Sequence, residues 1–354
     1  MEEAPGFTEP ALPSEADVLE LLRTPGLSIK NLDPSTKETV RRYILEKHIE
    51  QGVSLGDIAK LIGNKTSGYT SWLTRRLGIQ PRDFEEARLK GIHEKVRKYE
   101  RRPFDGTEED KAYLLGLSHG DFSALAPWKG VVRVSTSSTH RAMVELFRKL
   151  FEKHGHVYQH SRYKEDTFTY EWNLSTIVDG SFSFLLEPRN ECRDWISDDS
   201  STILAYLSGL LDAEGTIGIY PNARTTSVQV IYYNTDLDLI RCVRNWIIHL
   251  GYNALEPYLD KPKGFRSPGF RIEMKKDYWR VMVATFEQSQ GLLSRLQPRH
   301  REKAAKKALA LSIEKGTLWS HVAPKVNKFR DSVRNETVAF TREAEADYLR
   351  LHSW

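Results

Sequence analysis

The apolar residues of this chain fall into helix-forming runs, and the most regular run ends in acidic residues. Residues 204–220 read LAYLSGLLDAEGTIGIY, which predicts an apolar helix that ends at Gly215 with Asp212 and Glu214 in its last turn. Carboxylates at the C-terminal end of a helix face the negative pole of its dipole, at a cost of about 0.3–1 kcal/mol each. The pattern therefore indicates that a cation is held at this end of the helix.

A second run with the same design lies earlier in the chain. Residues 112–124 read AYLLGLSHGDFSA, and Asp121 stands 93 residues before Glu214. The amphipathic helices that follow the two runs end at Gly155 and Gly251, which are 96 residues apart. Self-similarity at one period predicts two units of similar fold, each in the order helix, hairpin, helix, hairpin, helix.

Each acid-bearing helix carries small residues four positions apart, beginning at Gly116 and at Gly209. This spacing lets two helix backbones approach closely. If the helices cross, Asp121 and Glu214 meet at their ends, where their charges repel each other. Mg²⁺, with Mn²⁺ as a substitute, would relieve the repulsion because it prefers oxygen ligands and retains waters for chemistry. The alternative is two core helices whose terminal acids are merely solvated, and the duplication favours the functional pair.

Alternation of apolar and polar residues predicts strands with one packed face and one hydrogen-bonding face. The predicted strands are residues 132–137, 167–174 and 270–275, and Phe168 is among the residues expected to point inward. The outward residues are Arg133, Ser135, Ser137, Thr169, Glu171, Asn173, Arg271, Glu273 and Lys275. Two such sheets side by side would form a concave polar surface wide enough for a duplex. The candidate DNA contacts on it are Arg133, Ser135, Ser137, Arg271 and Lys275.

Residues 36–79 predict three helices, the second capped by Ser54 and ended by Gly63, and the third ended by Gly78. Two short helices around a tight turn are typical of a helix-turn-helix, whose second helix enters the DNA major groove. The third helix is expected to expose five residues suited to base edges and phosphates: Ser67, Tyr69, Thr70, Arg75 and Arg76. The alternative is a small helical bundle with a charged, solvated face.

The chain has 354 residues and a formal net charge of +4, which is a weak overall signal for nucleic acid. Basic residues are concentrated locally, in residues 75–102 and 299–328. No apolar run is long enough to predict a membrane span. Cys192 and Cys242 form no disulfide framework or zinc pattern, so we expect plain thiols in a reducing cytosol. The predicted location is cytoplasmic, on the nucleoid when DNA is bound, with no small-molecule cofactor beyond the metal.

The two acid-bearing runs resemble the motif of a known family. Residues 207–215, LSGLLDAEG, match the motif of the LAGLIDADG homing endonucleases closely, and residues 114–122, LLGLSHGDF, match it in degraded form. His119 stands where the motif has its first aspartate and Phe122 where it has its last glycine, while Asp121 is kept. The resemblance extends over about residues 104–298 and is to the single-chain form with two repeats.

The resemblance implies an α+β fold of two pseudo-symmetric αββαββα repeats that form a saddle on double-stranded DNA, in a monomer. It assigns Asp121 and Glu214 as catalytic acids and as ligands of Mg²⁺ or Mn²⁺, each acid serving the cleavage of one strand. The family tends to carry a basic residue at the end of the last strand of each repeat, a place that Lys275 fills in repeat 2 as a catalytic residue. Ser175 stands there in repeat 1, which would make the two cuts unequal.

These patterns divide the chain into six segments. They are an N-terminal lead with a short helix (1–35), the helix-turn-helix (36–80), a charged linker helix (81–103), repeat 1 (104–199), repeat 2 (200–298) and a basic helical tail (299–354), expected to pack on the repeats. The predicted function is a site-specific, metal-dependent DNA endonuclease. The alternative is a non-cleaving DNA-binding regulator on a degenerate scaffold of this kind, and a structured-RNA target is a weaker third hypothesis.

Overall fold

The computed structural model describes residues 15–24, 32–63, 67–80, 99–165, 167–188, 194–197, 199–266 and 273–352. The chain divides into two units, Met1–Lys98 and Tyr99–Trp354. The first unit has one apolar core, whereas the second has one core for each of its two repeats.

The first unit is a set of short helices. They are α1 (Glu15–Arg23), α2 (Pro34–Leu45, continued by a π-helical turn over Glu46–Glu50), α3 (Leu55–Leu61) and α4 (Ser67–Arg76). Ser54 caps α3 by accepting a hydrogen bond from the backbone N–H of Asp57, and Gly63 follows it with a φ of 89°. The three helices predicted over 36–79 are thereby confirmed. The predicted linker helix lies outside the described residues up to residue 98, and residues 99–103 are not helical.

The second unit contains two repeats of the same order. Repeat 1 consists of α5 (Glu108–His119), β1 (Ser123–Leu125), β2 (Val131–Ser138), α6 (Arg141–Phe151), β3 (Val157–Lys164), β4 (Thr169–Asp179) and a 3₁₀ segment (Gly180–Leu186). After a short α7 (Asp194–Ser197), repeat 2 consists of α8 (Ser200–Glu214), β5 (Gly215–Asn222), β6 (Thr225–Asn234), α9 (Leu237–His249), β7 (Tyr258–Lys261), β8 (Tyr278–Val283) and α10 (Phe286–Arg295). The antiparallel sheets have the matching orders β1-β2-β4-β3 and β5-β6-β8-β7, which confirms the predicted duplication.

The last helix of repeat 1 differs from the predicted α-helix. Residues 180–186 form 3₁₀ turns, which Asp179 caps by accepting a hydrogen bond from the backbone N–H of Ser181. Phe182, Phe184 and Leu185 of this segment are buried in the repeat 1 core. A seven-residue segment is therefore enough to cover this end of the core, and a full α-helix is not formed.

The strand register gives the sheet of repeat 1 one packed and one polar face. Ser135 of β2 lies opposite Ser175 of β4, and Ser137 lies opposite Asn173. Directly opposed residues of antiparallel strands share a face. Val134, on the other face, is fully buried. The predicted outward positions of residues 132–137 are thereby confirmed.

Two predicted strands differ from those in the structure. Phe168 was expected to point inward, but it lies in the turn before β4 with a φ of 53° and is 62% exposed, because the chain reverses there. The last strand of repeat 2 is β8; of the predicted strand 270–275, residues 270–272 lie outside the described residues and residues 273–275 precede β8. Val281 and Val283 of β8 are fully buried, whereas Lys275 lies in an exposed bend before the strand. Burial of these two valines explains why residues 278–283 form the last strand of the repeat 2 sheet.

Helices α5 and α8 pack with direct contact between their backbones. A Cβ atom added at Gly209 would lie 2.0 Å from the carbonyl oxygen of Tyr113, and one added at Gly116 would lie 2.3 Å from that of Tyr206. No side chain fits at such distances, so both positions require glycine. The close crossing predicted from the small residues is confirmed.

The C-terminal tail forms two helices, α11 (Arg301–Leu311) and α12 (Trp319–His352), and packs on both repeats as predicted. At its start, the backbone N–H of Trp319 donates to the carbonyl of Arg224 at 3.0 Å, at the tip of the β5–β6 hairpin. Further along, the ring of Phe340 lies 5.8 Å from that of Trp172 on β4 of repeat 1. A 34-residue helix is about 51 Å long, which suffices to span both repeats. Neither α12 nor any other helix among the described residues is long and apolar enough to cross a membrane.

Cys242 on α9 does not have the predicted thiol. It is disulfide-bonded, and there is no free cysteine among the described residues. Cys192, the only other cysteine of the sequence, lies outside the described residues. The expectation of a plain thiol is therefore wrong for Cys242.

We predict that Gly209→Ala lowers the free energy of unfolding of the second unit by about 2 kcal/mol, because overpacking at a tight contact typically costs about 1–3 kcal/mol. The matched control is Gly56→Ala in α3, where an added Cβ would meet only the Ser54 hydroxyl at 3.7 Å. That variant should keep or gain stability, since alanine favours a helix over glycine. Denaturant unfolding measures both, and equal effects of the two substitutions would contradict the crossing.

Candidate functional site

Asp121 and Glu214 lie next to each other at the end of the α5–α8 crossing. Asp121 follows Gly120, the C-cap of α5, and Glu214 is the last residue of α8. A Cβ atom added at Gly120 would lie 3.0 Å from Cγ of Glu214 and 2.3 Å from Cβ of Ala213. The crossing thus brings together two acids that are 93 residues apart in the sequence.

The two acids influence each other electrostatically. Although Asp121 is exposed as a residue, burial of its carboxyl and, second, the negative charge of Glu214 raise its pKa from 3.8 to about 7. The positive charges of Lys303 and His140 act in the opposite direction on this pKa. Glu214 accepts a hydrogen bond from the Tyr278 hydroxyl at 3.0 Å, and burial together with the charge of Glu214 raises the pKa of that tyrosine.

Two carboxylates held together in this way match the coordination chemistry of a hard divalent cation. Mg²⁺ is usually bound by one or two carboxylates together with waters and substrate phosphates. Within the described part of the chain, no group of three or more His, Cys, Asp or Glu side chains could hold a metal by itself. The donor set fits a cation whose remaining ligands are water, backbone carbonyls and a bound phosphodiester.

Asp212 and His119 occupy equivalent places in the two repeats and serve the packing of the helices. The Tyr113 hydroxyl of α5 donates to Oδ2 of Asp212 at 2.6 Å. A hydrogen bond of 2.7 Å links the Tyr206 hydroxyl of α8 to Nδ1 of His119. Each helix therefore offers a tyrosine to the other helix's motif residue, and both tyrosines are almost fully buried. His119 replaces the motif's aspartate as a hydrogen-bond partner, so this departure leaves the crossing intact.

Lys303 of the tail is a residue of this site that sequence analysis missed. Its ammonium donates a hydrogen bond to the carbonyl of Gly215, the residue after Glu214. Burial lowers the pKa of Lys303, while the charges of Asp212 and then Asp121 act in the opposite direction. Lys303 precedes the buried Ala310 by seven residues and so shares its face of α11, but only the structure shows that this face is the packed one.

The predicted DNA contacts of the sheets lie partly on the polar face. Arg133 and Ser137 are exposed there and Ser135 is half-buried. Arg271 lies outside the described residues. Lys275 is exposed in the bend before β8 and does not lie at the end of the last strand, where the family resemblance had assigned it. Tyr278 of β8 contacts the acid pair through Glu214.

The predicted DNA contacts of α4 have mixed environments. Arg75 and Arg76 are exposed in the last turn of the helix. Thr70 is 1% exposed, and its hydroxyl donates to the carbonyl of Leu55 at 2.8 Å, so its predicted exposure is wrong. Thr70 instead joins α4 to α3. Tyr69 is half-buried beside Trp72, with ring centroids 5.8 Å apart, and the side chain of Ser67 lies outside the described residues.

Comparison with known proteins finds similarity among solved structures only. No protein-family model matches, and no curated protein matches. Mesophilic variants of the homing endonuclease I-DmoI align over 56% of this chain and 98% of theirs, with 17% identity and a TM-score of 0.37. The homing endonuclease I-WcaI, bound to its DNA recognition sequence, aligns over 65% and 96%, with 13% identity and a TM-score of 0.39. Full-length WhiA from Thermotoga maritima aligns over 70% and 74%, with 12% identity and a TM-score of 0.36.

We predict that Asp121→Asn stabilises the metal-free protein above pH 7 and has little effect near pH 4. The folded pKa of about 7 exceeds the ordinary 3.8, so the folded state binds more protons between these values and stability falls as pH rises through them. Asparagine removes that fall in stability. Thermal unfolding at pH 4 and pH 8 measures the effect, and Asp238→Asn, at a 61% exposed side chain paired with Arg241, is the control. A gain that does not grow with pH would contradict the raised pKa of Asp121 in the folded protein.

Proposed function

We propose that this protein is a site-specific, divalent-metal-dependent endonuclease that hydrolyses phosphodiester bonds of double-stranded DNA. The observation that carries the proposal is the adjacency of Asp121 and Glu214, enforced by glycines that let α5 and α8 touch. Burial and the charge of Glu214 raise the pKa of Asp121, and two neighbouring carboxylates are unfavourable unless a cation or a proton joins them. The motif resemblance and the paired polar sheets agree with this function.

In the proposed mechanism Asp121 and Glu214 hold the metal, and the remaining groups orient the acids and the substrate. The bound cation would polarise the scissile phosphate and lower the pKa of a coordinated water. Tyr278 fixes the Glu214 carboxylate through its hydroxyl. The carboxylate oxygens that do not bind the metal can accept hydrogen bonds from the attacking water and so orient it. Both acids come from one chain, which is consistent with an active monomer.

The polar faces of the two sheets are the proposed duplex-binding surface. Arg133, Ser135 and Ser137 lie on this face in repeat 1, and Arg271 and Lys275 are the proposed contacts from repeat 2. Serine and arginine side chains suit phosphate and base-edge contacts alike. Such contacts would position the two strands relative to the acids.

The first unit is proposed to extend the DNA target as a helix-turn-helix. Arg75 and Arg76 are exposed in the last turn of α4, where they suit phosphate contacts. A cytoplasmic, nucleoid-associated location goes with this function. The disulfide of Cys242 counts against that location, since such bonds are rare in a reducing cytosol.

A second candidate function is a non-cleaving, sequence-specific DNA-binding regulator. One observation favours it, namely that the ammonium of Lys303 already supplies positive charge beside Asp121 and Glu214. A fixed lysine could neutralise part of the acid repulsion without a metal. The two functions make the same prediction for binding and opposite predictions for cleavage.

We predict that the parent protein cleaves a subset of a randomised duplex library in Mg²⁺ and that Glu214→Gln and Asp121→Asn do not. Each substitution removes a metal ligand while keeping the size of the side chain. Sequencing of the cut ends reads the activity, and Lys275→Met tests the role of that residue separately. A single-strand nick by one of the two acid variants would show that each acid serves one strand.

Selective binding by the parent without cleavage in either Mg²⁺ or Mn²⁺ would overturn the endonuclease and support the regulator. Binding to the polar sheets would be expected in both cases. A preference for structured RNA over duplex DNA in the same assay would overturn both.

We predict that a double variant, Arg75→Ala with Arg76→Ala, weakens DNA binding about equally for all sequences. It should also reduce the slope of log affinity against log salt by about 2, because each arginine is expected to neutralise one phosphate. Fluorescence anisotropy at several salt concentrations measures the slope. Lys60→Ala is the control, because Lys60 is exposed on α3 and pairs with Asp57. An unchanged slope would remove α4 from the proposed interface.

A further inference from the structure

A cavity of about 620 Å³ lies between the acid pair and the C-terminal tail. Asp121 lines it on the side of the repeats. Lys303 and Lys306 of α11 and Arg330 and Arg334 of α12 line it on the side of the tail. The tail therefore brings four cationic side chains to one cavity, although its sequence indicated only a basic surface.

Three of these cations have no partner of opposite charge. Lys303 donates to the carbonyl of Gly215, but neither Lys306 nor Arg330 nor Arg334 makes a hydrogen bond or ion pair with any described residue. Burial, together with the positive charges of Lys303 and Arg330, lowers the pKa of Lys306 to about 8. Arg330 and Arg334 stand four residues apart on α12, a spacing at which like charges repel.

Glu302 and Asp212, two of the three carboxylates that line the cavity, have hydrogen-bond partners of their own, while Oδ1 of Asp212 is buried with no partner among the described residues. Glu302 is bonded to Nδ1 of His140 at 3.0 Å. Oδ2 of Asp212 accepts hydrogen bonds from the Tyr113 hydroxyl and from two backbone N–H groups. Asp121 belongs to the acid pair. Half-buried Lys306 and the exposed Arg330 and Arg334 therefore pair with no described carboxylate, and the lining as a whole carries four cationic side chains against three carboxylates.

A further polar group of the cavity also lacks a partner. His300 lines the cavity and is 4% exposed, and its Nδ1 has no hydrogen-bond partner in the described structure. Burial lowers the pKa of His300 to about 4, so the ring is neutral near pH 7 and one of its nitrogens can donate a hydrogen bond. An anion with several acceptor oxygens would satisfy this ring and the three cations together.

We propose that this cavity is a phosphate-binding site formed by the tail, with Lys306, Arg330 and Arg334 as its main ligands. Lysine and arginine bind phosphate oxygens through charge-assisted hydrogen bonds, and arginine can bind two oxygens at once. The phosphate comes either from a nucleic-acid strand that reaches the acid pair or from free phosphate. If the phosphate belongs to a nucleic-acid strand, the site rests on the proposed DNA-binding function and adds a contact to it. If the ligand is free phosphate, the site does not depend on that function.

The test measures thermal unfolding of the full chain against increasing inorganic phosphate, with sodium chloride at equal ionic strength as reference. The parent should show a saturable rise in Tm with phosphate alone, as expected of a ligand that binds the folded state. Lys306→Met should weaken the phosphate Kd by about tenfold or more, since the variant cannot donate a charged hydrogen bond to the anion. Lys328→Met is the control, because Lys328 is exposed on α12 and does not line the cavity.

A purely structural lysine would behave differently. If Lys306 held the tail in place, its replacement would lower the Tm without phosphate, whereas removal of an unpaired, half-buried charge should leave that Tm unchanged or raise it. Arg330→Gln provides a second variant with the same expectation for phosphate. A phosphate response that is the same in the parent, Lys306→Met and Arg330→Gln, or that is absent in the parent, would overturn the proposal.

The source of the phosphate is read from a second measurement that does not involve cleavage. If the ligand is a DNA phosphate, Lys306→Met should weaken duplex binding and free phosphate should compete with the duplex in the parent. If the ligand is free phosphate, duplex binding should be the same in the parent and the variant while the thermal response differs. These two binding results can be told apart even if the protein cleaves no DNA.

Discussion

Two glycines, Gly116 and Gly209, allow the backbones of α5 and α8 to touch, and the arrangement of the second unit follows from that contact. A helix crossing this close leaves no room for side chains, so the groups at its end are fixed by backbone geometry and not by flexible side-chain packing. The neighbours at that end are Asp121 and Glu214. Burial of the Asp121 carboxyl and, second, its repulsion by Glu214 raise the pKa of Asp121, and a bound cation would offset this electrostatic cost.

The C-terminal tail changes the electrostatics of this crossing. It contributes Lys303, whose ammonium lies on the carbonyl of Gly215, and further cations around the adjoining cavity. The site therefore combines an acid pair that favours a metal with a basic wall that favours phosphate, and a phosphodiester carrying a divalent cation matches both. Helix α12 contacts the hairpin of repeat 2 and the sheet of repeat 1, so the position of this basic wall depends on both repeats being folded.

The duplicated order of elements, the crossing and the capped helices of the first unit could be predicted because each depends on local patterns: period, small-residue spacing and capping residues. The hydrogen bond between Tyr206 and His119 could not be predicted, because it joins residues 87 apart across the crossing. Thr70 was misread because a helix surface pattern does not reveal which polar side chain bonds a neighbouring helix. The place of Lys275 could not be predicted because residues 270–275 alternate strictly, as a half-buried strand does, whereas residues 278–283 carry only one charged residue, Arg280, and only burial in the folded sheet identifies them as the strand.

The central claim, that two distant carboxylates share a divalent cation beside the tail, is tested most directly by anomalous diffraction from crystals soaked in Mn²⁺. We predict a peak within coordination distance of the carboxylate oxygens of Asp121 and Glu214, and its disappearance in crystals of Glu214→Gln. Ordered carboxylates with no peak between them, and with the Lys303 ammonium bonded to either acid in its place, would contradict the account.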